Sequence, residues 1–132
     1  MGYPPLIEDR GACLSITIPG FQIGLSAGSS DWLNSVADTL STEMQGAVND
    51  ATAAGISAWF SNPKTDFAGK AICGDPESIH GVVKTLVDSD KPATDYPILE
   101  NFGLSAQSFH PKIAGARLYA NAFERTLAGM NM

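Results

Sequence analysis

The residues with the clearest chemical potential form the run Gly24-Leu25-Ser26-Ala27-Gly28. This G-x-S-x-G pattern lies between a predicted strand and a predicted helix. In that setting the glycines permit a tight turn that exposes the serine hydroxyl, and the helix N-terminus stabilises an oxyanion. A histidine would have to take the hydroxyl proton, and the chain has two, His80 and His110.

Over these five residues the pattern resembles the nucleophile elbow of α/β-hydrolases. The resemblance implies a small serine hydrolase in which Ser26 attacks and either histidine acts as the base. The carboxylates available to orient that base are Asp75, Asp88 and Asp95. However, that fold places several strands before the elbow, whereas one predicted hairpin precedes Ser26 here, and the chain is short for it. A Gly/Ser loop that caps the next helix is therefore the favoured interpretation, and the hydrolase is the alternative.

No pattern for a metal or cofactor is present. The chain lacks the Walker A, G-x-G-x-x-G, H-E-x-x-H and EF-hand sequences. Cys13 and Cys73 are the only cysteines, their spacing fits no zinc pattern, and only the two histidines could join them. No signal peptide is recognised at the N-terminus. The sequence therefore predicts no metal, no cofactor and two buried free thiols in a reducing compartment.

The elements that would position Ser26 are a hairpin and a long helix. Residues 13–18 and 21–25 alternate in polarity on either side of Pro19-Gly20, which predicts two strands. Helical spacing begins at Trp32, with Ser30 or Asp31 as the cap, and continues towards Phe60. Gly46 and Gly55 lie in this stretch and favour a break near one of them.

The second half predicts two more helices. Asp75-Pro76-Glu77 is a typical helix start, so a helix is expected over residues 76–87, with short strands over 67–73 and 96–99. Pro111 opens the last helix. Its predicted buried face comprises Ile113, Ala116, Tyr119, Ala120, Phe123, Leu127 and Met130.

Together these elements predict an α+β fold in which three helices pack on a small, mostly antiparallel sheet. The length of 132 residues suits a single domain over residues 1–132. Residues 1–12, with two adjacent prolines, read as an extended N-terminal arm.

Charge is scarce and uneven. Charged residues make up 17% of the chain, below the roughly 25% of average domains, so much of the surface must be weakly polar or apolar. The net charge is −6, which argues against nucleic acid as the main partner. No apolar run is long enough to cross a bilayer, so the chain is expected to be soluble, located in the cytoplasm or assembled into a particle.

This surface predicts a non-enzymatic structural or adaptor subunit of a larger oligomeric assembly, of which a virion tail, neck or baseplate component is one example. The acidic first half and the basic last helix would meet in a head-to-tail contact between copies. Another alternative is an effector or immunity-type binding partner. The predicted interface residues are Trp59, Phe60, Lys112, Arg117 and Arg125.

Overall fold

The computed structural model describes residues 1–8, 15–18, 21–24, 26–83, 105 and 107–130. In chain order their elements are strand β1 (Ser15–Ile18), strand β2 (Phe21–Gly24), helix α1 (Ala27–Ala53) and helix α2 (Ile113–Gly129). The predicted strand over residues 96–99 lies outside the described residues, as does Cys13.

The two strands form an antiparallel hairpin in which Ile18 pairs with Phe21. This pair is the whole sheet of the described residues, and neither helix packs on it. The prediction of three helices packed on a small, mostly antiparallel sheet is therefore wrong. The described chain has two helices, and the predicted strand over residues 67–73 is a series of turns with one bridged residue, Ile72.

Irregular segments, flanked by the two helices, build most of the core. The fully buried cluster comprises Ile7, Phe67, Ala71, Ile72 and Ile79. Helix α1 contributes Leu33 to its edge, and α2 contributes Leu118 and Tyr119. Both helices are thus held by the same loop core, although they do not pack on each other.

The N-terminal segment is part of this core. Ile7 forms a parallel bridge with Ile72, and the side chain of Asn34 on α1 binds the backbone beside it. The Asn34 Oδ1 accepts hydrogen bonds from the N–H groups of Leu6 and Ile7 at 2.9 and 3.3 Å. Its Nδ2 donates to the carbonyl of Ile7 at 2.7 Å. One side chain thereby satisfies three backbone groups that a strand would otherwise pair.

Helix α1 begins earlier than its hydrophobic spacing predicts. Ser26 is the N-cap, because its Oγ accepts a hydrogen bond from the N–H of Ser29, so neither Ser30 nor Asp31 caps the helix. The helix ends at Ala53, before the φ of +80° at Gly55, and Ile56 N–H donates to the Ala51 carbonyl. This is a Schellman motif, in which glycine takes the left-handed position without strain.

The predicted helix over residues 76–87 is wrong for residues 76–83, which are not helical. Their backbone N–H groups bond to distant segments. Ser78 N–H donates to the Lys70 carbonyl, and His80 N–H donates to the His110 carbonyl. Ile79 bridges Pro111 in antiparallel fashion. These partners satisfy the groups that a helix would have satisfied locally, so the start signal at Pro76 is overridden.

Helix α2 lies close to this segment. Gly115 is buried on the side of α2 that faces the loop core, and a Cβ there would lie 2.3 Å from the carbonyl oxygen of Ser78. The buried face of α2 is therefore centred on Gly115, Leu118 and Ala122. The predicted buried face is confirmed at Tyr119, which packs on the cluster, and is wrong at Ile113 and Phe123, which are exposed.

Cys73 is disulfide-bonded, so the prediction of a free thiol is wrong for this residue. Its position is at the edge of the buried cluster, where it follows Ile72 directly. Cys13 is the only other cysteine in the chain.

Candidate functional site

Ser26 is placed as a capping residue. Its Oγ lies 3.0 Å from the Ser29 Oγ and accepts from the Ser29 N–H at 3.2 Å, and the residue is exposed at the start of α1. The backbone brings His80 and His110 together through a 2.9 Å hydrogen bond. In the part of the chain that the structure describes, neither imidazole is bonded to Ser26. The geometry gives the Ser26 hydroxyl a role at the helix terminus, and no described residue is bonded to it as a base.

Helix α1 carries an apolar stripe that faces solvent. Trp32, Val36 and Leu40 recur every four residues, which places them on one face. Trp32 is 63% exposed, and Val36 and Leu40 are more than two-fifths exposed. The next residue on this face is the charged Glu43, so the apolar run ends at Leu40. We call Trp32, Val36 and Leu40 the α1 stripe.

Helix α2 carries a second stripe. Ile113, Ala116, Ala120, Phe123 and Leu127 are spaced by three, four, three and four residues, which is the a/d seam of a coiled coil. All five are exposed, and Ile113 reaches 80%. We call this set the α2 stripe. Its spacing was visible in the sequence, but spacing alone could not decide whether the seam faces the chain's own core or a partner.

The aromatic pair at residues 59 and 60 is divided by the fold. Trp59 is 47% exposed, whereas the ring of Phe60 is half-buried against the backbone of Gly2. A Cβ on Gly2 would lie 2.7 Å from the tip of that ring. Trp59 is therefore available to a partner, and Phe60 packs within the chain.

Two of the three cations predicted for the interface are engaged within the chain. Lys112 Nζ lies 2.6 Å from a carboxylate oxygen of Glu77, and Arg125 makes a bidentate pair with Asp66. No ion pair involves Arg117 within the described residues. The positive charge of the last helix is thus largely neutralised, which removes most of the electrostatic basis for the predicted head-to-tail contact.

The engaged carboxylates titrate lower than usual. The hydrogen bonds from Arg125 lower the pKa of Asp66 below its ordinary 3.8, against the opposing effect of burial. Burial raises the pKa of Glu77, but the hydrogen bonds from Lys112 and from the Cys73 N–H outweigh it, and the net pKa lies below 4.5. Both carboxylates are therefore charged at neutral pH and act as structural links to α2.

An open groove of about 620 Å³ runs between the middle of α1 and residues 60–64. Hydroxyl and amide side chains line it, and an ion pair of 2.6 Å between Asp38 and Lys64 joins its two walls. Both partners are half exposed, so this pair contributes little to stability. The groove is open and of mixed polarity, and among the described residues that line it no nucleophile contacts a base.

No protein-family model, curated protein or solved structure matches this chain. In the parts of the chain that the structure describes, neither helix combines the length and the hydropathy needed to cross a bilayer.

Proposed function

We propose that the chain is a non-enzymatic structural or adaptor subunit of a larger oligomeric assembly, of the kind that forms virion tails, necks and baseplates. One observation carries the proposal. Both helices expose large apolar side chains in continuous stripes beside the face that each buries in its own core. Scattered exposed hydrophobics are ordinary, but contiguous ones mark interaction surfaces.

The composition supports the same function. Charged side chains make up only 17% of residues. Few of them are therefore available to keep one monomer apart from its neighbours. Several of them are used in pairs within the chain, at Glu77–Lys112 and Asp66–Arg125. The α1 and α2 stripes themselves contain no charged residue, which is typical of faces that are covered in an assembly.

The disulfide at Cys73 favours a particle over the cytoplasm as the working environment. Disulfides persist in secreted and periplasmic proteins and at virion or cell surfaces, and they are rare among cytosolic proteins. A subunit that leaves the cell within a particle meets this condition.

The experiment is light scattering after size-exclusion chromatography, on the wild-type protein and on Trp32→Gln/Val36→Gln/Leu40→Gln. These side chains face solvent, so the substitutions should leave the fold intact while they remove the apolar contact. The matched control is Thr39→Gln/Thr42→Gln, at exposed positions of the same helix.

We expect wild type and control to elute as oligomers and the triple variant to have a smaller mass. A monomeric wild type would overturn the proposal. A stable complex with one different protein, combined with a monomeric free chain, would instead indicate an effector or immunity-type partner.

A further inference from the structure

We infer that the α2 stripe is a two-fold contact with a second copy of this chain, in which two α2 helices pack antiparallel about Ala120. The inference rests on the proposed assembly and names the partner of one of its surfaces. The order of side-chain sizes along the stripe fits this pairing. Read from its start, the stripe is large, small, small, large, large.

Antiparallel pairing makes this order complementary to itself. With Ala120 on the axis, Ile113 lies opposite Leu127 of the second copy, and Ala116 lies opposite Phe123. The two Ala116–Phe123 contacts thus set a small residue against a large one, Ile113 and Leu127 meet as large residues at each end, and two alanines meet at the centre, where the backbones approach most closely. An isologous interface uses the same surface of both copies, so a residue that contacts a second residue across the interface is matched by the reverse contact. The antiparallel pairing meets this requirement.

The charges beside the stripe obey the same symmetry. Arg117 and Glu124 are exposed, lie seven residues apart on one flank, and form no ion pair among the described residues. Seven residues span about 10.5 Å along a helix, too far for the two to pair within it. Along the helix, the midpoint between Arg117 and Glu124 lies within half a residue of Ala120. In the antiparallel pair each Arg117 therefore lies opposite Glu124 of the second copy, which gives two interhelical ion pairs.

A parallel pair would not fit. It would place two phenylalanines opposite each other next to facing alanines at positions 116 and 120, which leaves space between the alanines, and it would bring Arg117 to the same level as Arg117. A different protein as the occupant would not require the stripe to match itself. The self-complementarity of size and charge together therefore points to a second copy.

Charge exchange tests this contact. The dimer dissociation constant is measured by sedimentation equilibrium for wild type, Arg117→Glu, Glu124→Arg and the double variant Arg117→Glu/Glu124→Arg. Each single variant places like charges opposite one another twice, so we expect its dissociation constant to rise by about tenfold. The double variant restores both pairs and should return to within about threefold of wild type.

A second pair of variants tests the axis. Ala120→Arg places two like charges at the centre and should abolish the dimer, whereas Ala53→Arg, at an exposed position at the end of α1, should not. Circular dichroism confirms that each variant keeps its helices.

If the wild type associates but the charge variants and Ala120→Arg associate equally well, this contact is wrong and the assembly proposal stands. If the double variant is no better than the single variants, the antiparallel pairing is wrong. If the wild type is monomeric throughout, both proposals fail.

Discussion

The Ser26 hydroxyl stabilises the start of α1, and this role can resemble a catalytic motif in the sequence. Its Oγ accepts from the N–H of Ser29, which would otherwise be an unsatisfied donor in the first turn of α1. Glycines on either side of a serine are compatible with a hydrolase elbow and with a capping loop alike. The distinction depends on a base within hydrogen-bonding distance, which no local pattern can report.

Replacing Ser26 should affect stability and no chemistry. Ser26→Ala removes the cap, and we expect it to lower the free energy of unfolding by about 1 kcal/mol, measured by urea denaturation. Ser26→Asp is the matched control, because aspartate caps equally well and should stay near wild type. A fluorophosphonate probe should not label the wild-type protein, and labelling that Ser26→Ala abolishes would contradict the capping role.

The pH dependence of stability should follow Asp66 and Glu77. Both have a folded-state pKa below the ordinary value, so they stabilise the fold above their unfolded pKa. This stabilisation begins to be lost when the pH falls to about 4, near the pKa of these carboxyls in the unfolded chain. The loss is complete once the pH has passed below their lower pKa in the folded protein.

The loss of stability between neutral and acid pH is measured from urea midpoints. It should be smaller in Asp66→Asn and in Glu77→Gln than in the wild type, because each variant is already less stable at neutral pH. An acid loss that is unchanged in both variants would show that other groups govern it.

At the scale of elements, the approach of α2 to the core depends on Gly115. An added Cβ would collide with the Ser78 carbonyl, which belongs to backbone that is itself bonded to Lys70 and Lys112. Glycine in a helix normally costs about 1 kcal/mol relative to alanine, so its presence here marks a close contact.

Two glycine-to-alanine substitutions should therefore have opposite effects. Gly115→Ala should destabilise the fold by about 2 kcal/mol, because neither backbone can move freely. Gly46→Ala, in the middle of α1 with no atom within 4 Å of the new Cβ, should stabilise it by up to about 1 kcal/mol. Thermal denaturation of the two variants measures both, and equal effects would contradict the packing of α2 on residue 78.

Secondary-structure elements could be predicted from the sequence where the local signals agree with the contacts that the fold makes. The two β-branched segments around Pro19-Gly20 contain β1 and β2, and α2 begins within two residues of Pro111. The start signal at Asp75-Pro76-Glu77 fails because Glu77 is used elsewhere. Its carboxylate accepts from the Cys73 N–H and from Lys112, partners that lie outside the predicted helix.

The face of a helix was harder to predict than its position. Periodicity shows that Ile113, Ala116, Ala120, Phe123 and Leu127 share one side of α2, and burial is the usual consequence. The core instead takes the side of Gly115, Leu118 and Ala122, because only glycine permits the close approach to residue 78. A single sequence contains no signal that separates a seam for the core from a seam for a partner.

At the scale of the whole molecule, the disulfide of Cys73 lies at the edge of a core formed largely by irregular segments. The only other cysteine in the sequence stands about 60 residues earlier, so a disulfide within one chain would close a long loop.

Reduction should therefore lower the free energy of unfolding by about 2–4 kcal/mol. Urea denaturation with and without a phosphine reductant measures the loss, and Cys13→Ser/Cys73→Ser should be insensitive to the reductant. A wild-type protein whose stability ignores the reductant would contradict a structural disulfide.

The stripes on α1 and α2 are the feature on which the functional account depends, because a small domain that exposes both would be an unusual monomer. Sedimentation velocity of the wild-type protein, from about 1 to about 100 µM, tests this most directly. The account predicts a mass that is a multiple of one chain and that grows with concentration. A single species with the mass of one chain across the whole range would contradict it.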